Sequence, residues 1–172
     1  RALPMSDTQT QAAPQTGLNN ADVVYEALAE GGITRFMAIF LSQDPGTVGP
    51  VRSARPYYLE WARPLGSMYV HCGGSWEAED LLDEWGMLTN VDCFNGNMPF
   101  WRSDDPLMPH NLYTSTAELW KMAQRKGITA PDTVPRLPHT PEVAWDARPD
   151  GGSVGFTFSS LTRSDVQWIY DR

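Results

Sequence analysis

Ser67-Met68-Tyr69-Val70-His71-Cys72-Gly73-Gly74-Ser75-Trp76-Glu77-Ala78-Glu79-Asp80-Leu81-Leu82-Asp83-Glu84-Trp85-Gly86 packs a strand, a turn and a helix into one run. Its Met-Tyr-Val centre predicts a buried strand over 67–72, and Gly73-Gly74 ends it. Ser75 is a favourable helix N-cap, because its hydroxyl can accept from an N–H that the first turn leaves without a partner. Glu77, Glu79 and Asp80 then lie near the positive end of a helix over 76–85, which Gly86 closes. Strand, helix, strand order of this kind predicts a sheet with helices on at least one face.

Upstream, Asp22–Glu30 and Ile33–Gln43 flank Gly31-Gly32, which reads as a β-hairpin. Phe36, Ala38, Phe40 and Ser42 share one side of the second strand, and Arg35, Met37, Ile39 and Leu41 the other. Both sides are largely apolar, so this strand is expected to be central. A helix over 18–30 competes, since Leu18, Val24, Ala27 and Leu28 also fit one helical stripe; the hairpin is preferred. Residues 1–16 read as a strand remnant at Ala2-Leu3 followed by loop. Residues 56–63 read as a short helix opened by Pro56.

Downstream, 94–113 reads as a long aromatic loop punctuated by proline. Thr114 or Ser115 caps a helix that runs to about Lys126 and stops at Gly127. The expected class is α/β (α+β), a mixed β-sheet flanked by helices. A first domain spans 1–128 and a Pro-rich linker 129–152. The beginning of a second, β-rich domain spans 153–172, with strands over 154–159 and 166–170.

Thirteen Lys and Arg stand against 21 Asp and Glu, a net charge of −8. That balance argues against nucleic acid or an anionic membrane surface as a general partner, and leaves room for a local basic pocket. With 172 residues and 41% hydrophobic content the chain can bury one good core. No apolar run is long enough for a transmembrane helix, and no segment reads as a signal peptide. A chain that opens at Arg1 and closes at Arg172 inside a strand pattern reads as a mature or trimmed fragment. Cys72 and Cys93 allow one disulfide. His-x-x-x-His and Cys-x-x-Cys pairs are absent, so neither a metal nor another cofactor is expected.

The chemistry concentrates in Gly49-Pro50-Val51-Arg52-Ser53-Ala54-Arg55-Pro56. Two guanidinium groups, each a planar fork of donors with a permanent charge, would make an anion site if they faced one spot. Ser53 adds a hydroxyl. The other reading pairs each arginine with a carboxylate of the same domain; Glu26 and Glu30 are the candidates, for Arg35 as well as Arg52 and Arg55. Gly73, Gly74 and Ser75 before a helix resemble a minimal phosphate cradle without a Walker lysine, or an ordinary capped turn. His71 and His110 are the acid–base candidates or else hydrogen-bonded structural residues, and His139 in the linker is set aside. With Asn111 and a supporting Arg102, these segments are expected to converge where strands end and helices begin.

A longer set of segments carries a resemblance. Gly17-Leu18, Ala21-Asp22-Val23-Val24-Tyr25-Glu26-Ala27 and Glu30-Gly31-Gly32-Ile33-Thr34-Arg35-Phe36 open it. Gly49 to Tyr57, Val70-His71 with Gly73-Gly74-Ser75, and Pro109-His110-Asn111-Leu112-Tyr113 continue it. Together they resemble the N-terminal domain of the YerB-like bacterial lipoprotein family, and Trp168-Ile169-Tyr170-Asp171 is similar to the start of its second domain. The resemblance implies an extracytoplasmic protein, anchored in a longer precursor through a lipidated cysteine absent from this chain. It implies no activity. It nominates Arg52, Ser53, Arg55, His71 and His110 as a site, and Cys72 is not part of its pattern.

Three functional expectations follow. The first is a cell-envelope domain that binds a phosphorylated or carboxylated ligand, such as an envelope glycan or phosphate, with Trp76, Trp101 and Tyr57 as stacking surfaces. The second is a metal-independent envelope hydrolase or transferase using His71 or His110. The third is a protein-interaction scaffold.

Overall fold

The computed structural model describes residues 1–66, 68–86, 89–104, 108–129, 140–160 and 165–171. A five-stranded mixed sheet organises the first 129 residues, in the order β2-β3-β1-β4-β5. Its strands are β1 Ala2–Asp7, β2 Val23–Leu28, β3 Thr34–Ile39, β4 Met68–His71 and β5 Thr89–Asp92. The hairpin around Gly31-Gly32 forms as expected, in the register Val23↔Ile39 to Leu28↔Thr34, and β3 lies inside the sheet. The helical reading of 18–30 fails beyond a single 3-10 turn at Leu18–Asn20.

β1 departs from expectation. Residues 2–7 are all buried and form the middle of the sheet rather than a remnant. Pro4 and Asp7 disguise it, because proline cannot donate to a ladder and usually argues against a central strand. The local solution is a change of partner. Ala2, Leu3 and Pro4 lie alongside β4 in parallel, while Met5, Ser6 and Asp7 pair with β3 in antiparallel fashion. Beyond Pro4 the β4 side is taken over by residues 50–52: Arg52 N–H donates to the Met5 carbonyl (2.9 Å), and Asp7 N–H donates to the Pro50 carbonyl (3.1 Å). That exchange delivers Arg52 to the end of β1.

Helices cover both faces of the sheet. Leu3, Met5, Met37, Ile39 and Tyr69 pack against α1 (Pro56–Ala62) and α2 (Trp76–Trp85). Ala2, Met68, Val70 and Val91 pack against α3 (Thr116–Lys126). Leu59 and Leu119, each fully buried, contribute about 2 kcal/mol apiece relative to exposure. The Tyr58 hydroxyl also ties α1 to the hairpin, accepting from Ala27 N–H (3.1 Å) and donating to the Arg35 carbonyl. Ser75 and Ser115 cap α2 and α3 as their sequence signals predict, accepting from the N–H groups of Ala78 and Glu118.

The stretch 94–113 is less of a loop than expected, since β6 (Phe100–Arg102) and β7 (Leu112–Thr114) within it form an antiparallel ribbon. β7 also bridges Thr114 to Val48. Residues 130–139 of the segment read as a linker, His139 included, lie outside the described residues; the rest holds a 3-10 turn at Trp145–Ala147 and the start of the next strand at Gly151. β8 (Gly151–Thr157) and β9 (Asp165–Asp171) form an antiparallel hairpin in which Val154 faces Trp168 and Phe156 faces Val166.

Candidate functional site

The parallel strands β4 and β5 end side by side at His71 and Asp92, and β1 runs about two residues further, to Asp7. The 48–55 segment crosses these ends and is fastened on two sides. Toward β7, Val51 N–H donates to the Leu112 carbonyl (2.7 Å). Toward the β4–α2 turn, Ala54 N–H donates to the Gly73 carbonyl (2.8 Å) and Cys72 N–H to the Arg52 carbonyl (3.1 Å). The fastened segments enclose an open cavity of about 380 Å³, bordered by Arg52, Ser53, Gly73, Gly74, Arg102 and Pro109 together with Glu79 and Phe94. The Arg-Ser, Gly-Gly and Pro-His-Asn motifs therefore meet in space, at the strand ends where ligands sit in open α/β sheets.

The two arginines of the motif separate. Residues 52–55 run extended, with Ala54 bridged to Gly74 and Arg55 at φ −139°, ψ 147°. Three residues along an extended chain reverse the side, so Arg52 and Arg55 diverge instead of making one fork. Arg52 Nε lies 3.0 Å from Asp7 Oδ2, beside the cavity. Arg55 turns to Glu30, with Nη2 donating to Oε2 at 2.8 Å and Nε engaging Oε1. Arg35, largely buried, donates from Nη1 to the Ser53 carbonyl (2.9 Å) and approaches Glu30 at 4.0 Å.

Charge is unevenly matched in this cluster. Hydrogen bonding from Arg55 holds the Glu30 carboxyl down at about 2. Burial lowers the pKa of Arg35, and the charges of Arg55 and Arg52 lower it further. Three guanidinium groups thus share the carboxylates of Glu30 and Asp7. Glu26 takes a different role: half-buried, its carboxyl is raised by desolvation, and its hydrogen-bond partner is the Thr34 hydroxyl.

Both histidines are held internally. His71 is fully buried; its Nδ1 lies 2.9 Å from the Gly73 carbonyl and its Nε2 2.7 Å from the Asn90 side-chain amide. With both ring nitrogens engaged, it braces the turn. His110 is also buried, with Nδ1 2.7 Å from the same Asp7 oxygen that Arg52 faces. Asn111 accepts from Arg102 Nη1 (2.7 Å) and donates to the Ser103 carbonyl (2.6 Å).

The Gly-Gly-Ser turn is a capped joint rather than a cradle of free amides. Gly73 N–H donates to Asp92 Oδ1 (2.9 Å), Ser75 N–H to the Ala54 carbonyl (3.3 Å), and the Ser75 hydroxyl caps α2. Cys72 and Cys93 are joined as a disulfide that links the ends of β4 and β5. Among the described residues, Cys72, Asp92 and Cys93 form the one group compact enough to surround a metal ion, and its sulfurs are committed to each other. Tyr57 belongs to a cluster with Tyr58 and Trp61, Trp76 is exposed at the start of α2, and Trp101 borders a second cavity next to the first. Asp7, Asn90, Asp92 and Phe94 were not expected here. No local pattern marks them, since each acts through residues distant in the chain.

A mixed sheet with helices on both faces and a polar cleft at its parallel strand ends places this domain in the α/β class. Residues 3–129 match the N-terminal domain of a protein family of unknown function, DUF3048, and the chain belongs to that family. It is 42% identical over 169 residues to the Bacillus subtilis (strain 168) protein named Putative lipoprotein YerB, covering 94% of this chain and 49% of that one. The crystal structure of YerB from Bacillus subtilis superposes with a TM-score of 0.76 at 39% identity, covering 93% of this chain and 53% of that one. The chain spans about half the length of these relatives.

Proposed function

We propose that this domain works outside the cytoplasmic membrane and holds a small anionic ligand, phosphorylated or carboxylated, in the cleft between Arg52 and Arg102. The lipoprotein name of its Bacillus relative supports the location, with a lipid anchor carried by a longer precursor. One observation carries the ligand class. Arg52 and Arg102 border the same cavity, where the exposed Glu79 is the one carboxylate among the described lining residues, and Asp7 beside Arg52 takes up part of that arginine's charge. Among the described residues the Arg102 guanidinium meets the neutral amide of Asn111 and no carboxylate, which supports an anion there.

Thermal melts in sulfate against chloride at matched ionic strength test this. Saturation at about a hundredfold over Kd adds roughly 2.7 kcal/mol, a rise of about 5–10 °C for a chain of this size. Arg102→Gln should abolish the rise while leaving the melt in chloride unchanged. Equal melting in the two salts, or a rise that survives in the variant, defeats the proposal.

The Asp7–His110 contact favours a second reading, an envelope hydrolase or transferase in which Asp7 orients His110 for proton transfer. Under it, His110→Gln should stop turnover of a test phosphomonoester such as p-nitrophenyl phosphate while the sulfate-induced rise persists. A wild-type protein that leaves the ester intact counts against it.

A further inference from the structure

The second cavity, about 390 Å³, adjoins the first and shares Phe94, Arg102 and Leu112 with it. Phe94 is the unusual member. Its side chain is 75% exposed, yet its backbone is held from several directions. Asp92 Oδ1 accepts from both Gly73 N–H (2.9 Å) and Phe94 N–H (3.2 Å), so one carboxylate clamps the turn. The neighbouring Cys93 is tied to Cys72 by the disulfide. The position beneath the ring is also fitted to it: a Cβ on Gly73 would stand 3.1 Å from Phe94 Cε2, and Gly73 has φ +63°. An aromatic ring standing in water forgoes burial, and the held backbone beneath it lowers the ordering cost of a later contact.

Beyond Phe94 the second cavity is bordered by Asn95 and Asn97, two residues that carry side-chain amides. Amides both donate and accept, which suits adjacent hydroxyl groups, while a ring face suits the C–H face of a sugar. Resting on the anion reading above, we propose that the ligand is a monosaccharide carrying a phosphate. Its charged group meets Arg102 and Arg52, its ring lies on Phe94, and its hydroxyls face Asn95 and Asn97. Phe94 is then the residue that sets specificity for a sugar over a bare anion.

Calorimetric titration of the whole chain with inorganic phosphate, with the 1-phosphates of glucose, galactose and N-acetylglucosamine, and with adenosine 5′-monophosphate separates the possibilities. At least one sugar phosphate should bind about tenfold more tightly than inorganic phosphate, a difference of about 1.4 kcal/mol. Phe94→Ala should erase that advantage, bringing every sugar phosphate down to the affinity that the same variant shows for inorganic phosphate. Equal binding of phosphate and every sugar phosphate overturns the sugar subsite and leaves the anion site standing. An advantage that survives Phe94→Ala overturns the role of the ring. Preference for the nucleotide over every sugar phosphate overturns the ligand class. If neither phosphate nor any sugar phosphate binds, the anion reading falls and this inference with it.

Discussion

Asp7 and His110, 103 positions apart, meet with carboxylate Oδ2 2.7 Å from imidazole Nδ1, and Arg52 Nε lies 3.0 Å from the same oxygen. The other Asp7 oxygen accepts from Gln9 N–H at 3.0 Å. This one carboxylate, with its side chain 3% exposed, joins the middle strand, the arginine segment and the 108–111 turn beneath the cleft.

Its loss should be costly. Asp7→Asn leaves Arg52 facing a neutral amide in a half-buried setting, and breaking such a pair costs roughly 3–5 kcal/mol. His110→Ala removes one hydrogen bond and should cost less, about 1–3 kcal/mol. Urea unfolding midpoints at constant slope measure both. A change below about 1 kcal/mol for Asp7→Asn would mean that the cluster does not support the fold.

The legible and hidden parts of the structure differ in physical range. α2 and α3 could be read because their signals are local: Ser75 with Gly86 and Ser115 with Gly127 bracket helices that start and stop where those residues stand. The hairpin could be read because glycines punctuate two apolar runs. β1 could not, because Pro4 and Asp7 are poor strand residues on local grounds and are accommodated by a change of ladder partner two residues away. The site was half legible. Strand-end motifs were expected to converge, and they border one cavity. Their arginines diverge because spacing alone does not reveal whether three residues span most of a helical turn or an extended stretch.

Acid should weaken the fold partly through Glu30. Its folded-state carboxyl is depressed to about 2 from an ordinary 4.5, so its contribution is present above about pH 4.5 and is lost as pH falls toward 2. Glu30 is mostly exposed, which limits the effect to under about 1 kcal/mol. Glu26 has the opposite sign: burial raises its carboxyl, so its contribution is present at low pH and is lost as pH rises through the raised value. Melts from pH 2 to 8 should therefore show Glu30→Gln less acid-sensitive than wild type, and Glu26→Gln gaining relative to wild type toward neutral pH. Parallel curves for all three proteins would count against both assignments.

Gly49 tests how tightly the arginine segment is seated against β7. At φ +153°, an added Cβ would stand 2.8 Å from the Leu112 carbonyl oxygen and 2.8 Å from Tyr113 Cδ1. The backbone neighbour cannot turn aside as a side-chain end would. Gly49→Ala is expected to cost roughly 1–3 kcal/mol from overpacking, with about 1 kcal/mol more from backbone strain. Gly96, with nothing within 4 Å of a built Cβ, is the control, and Gly96→Ala should stay within about 0.5 kcal/mol of wild type. Chemical denaturation of the pair decides it, and similar midpoints would contradict the close seating of Gly49.

The Cys72–Cys93 disulfide closes a loop of sequence separation 21 that contains α2 and β5. Cross-linking a loop of that order restricts the unfolded chain by about 3 kcal/mol. Reductant, or Cys72→Ser with Cys93→Ser, should then lower the melting midpoint by about 6–12 °C. The two effects of the bond can be told apart at the cleft. Arg52 and Arg102 are held by Asp7 and Asn111, neither of which depends on the disulfide, so the sulfate-induced rise should persist in the double variant. Phe94 adjoins Cys93, so any sugar-phosphate advantage over phosphate should shrink there. Loss of the sulfate response instead would place the anion contact at the 92–94 turn rather than at the arginines.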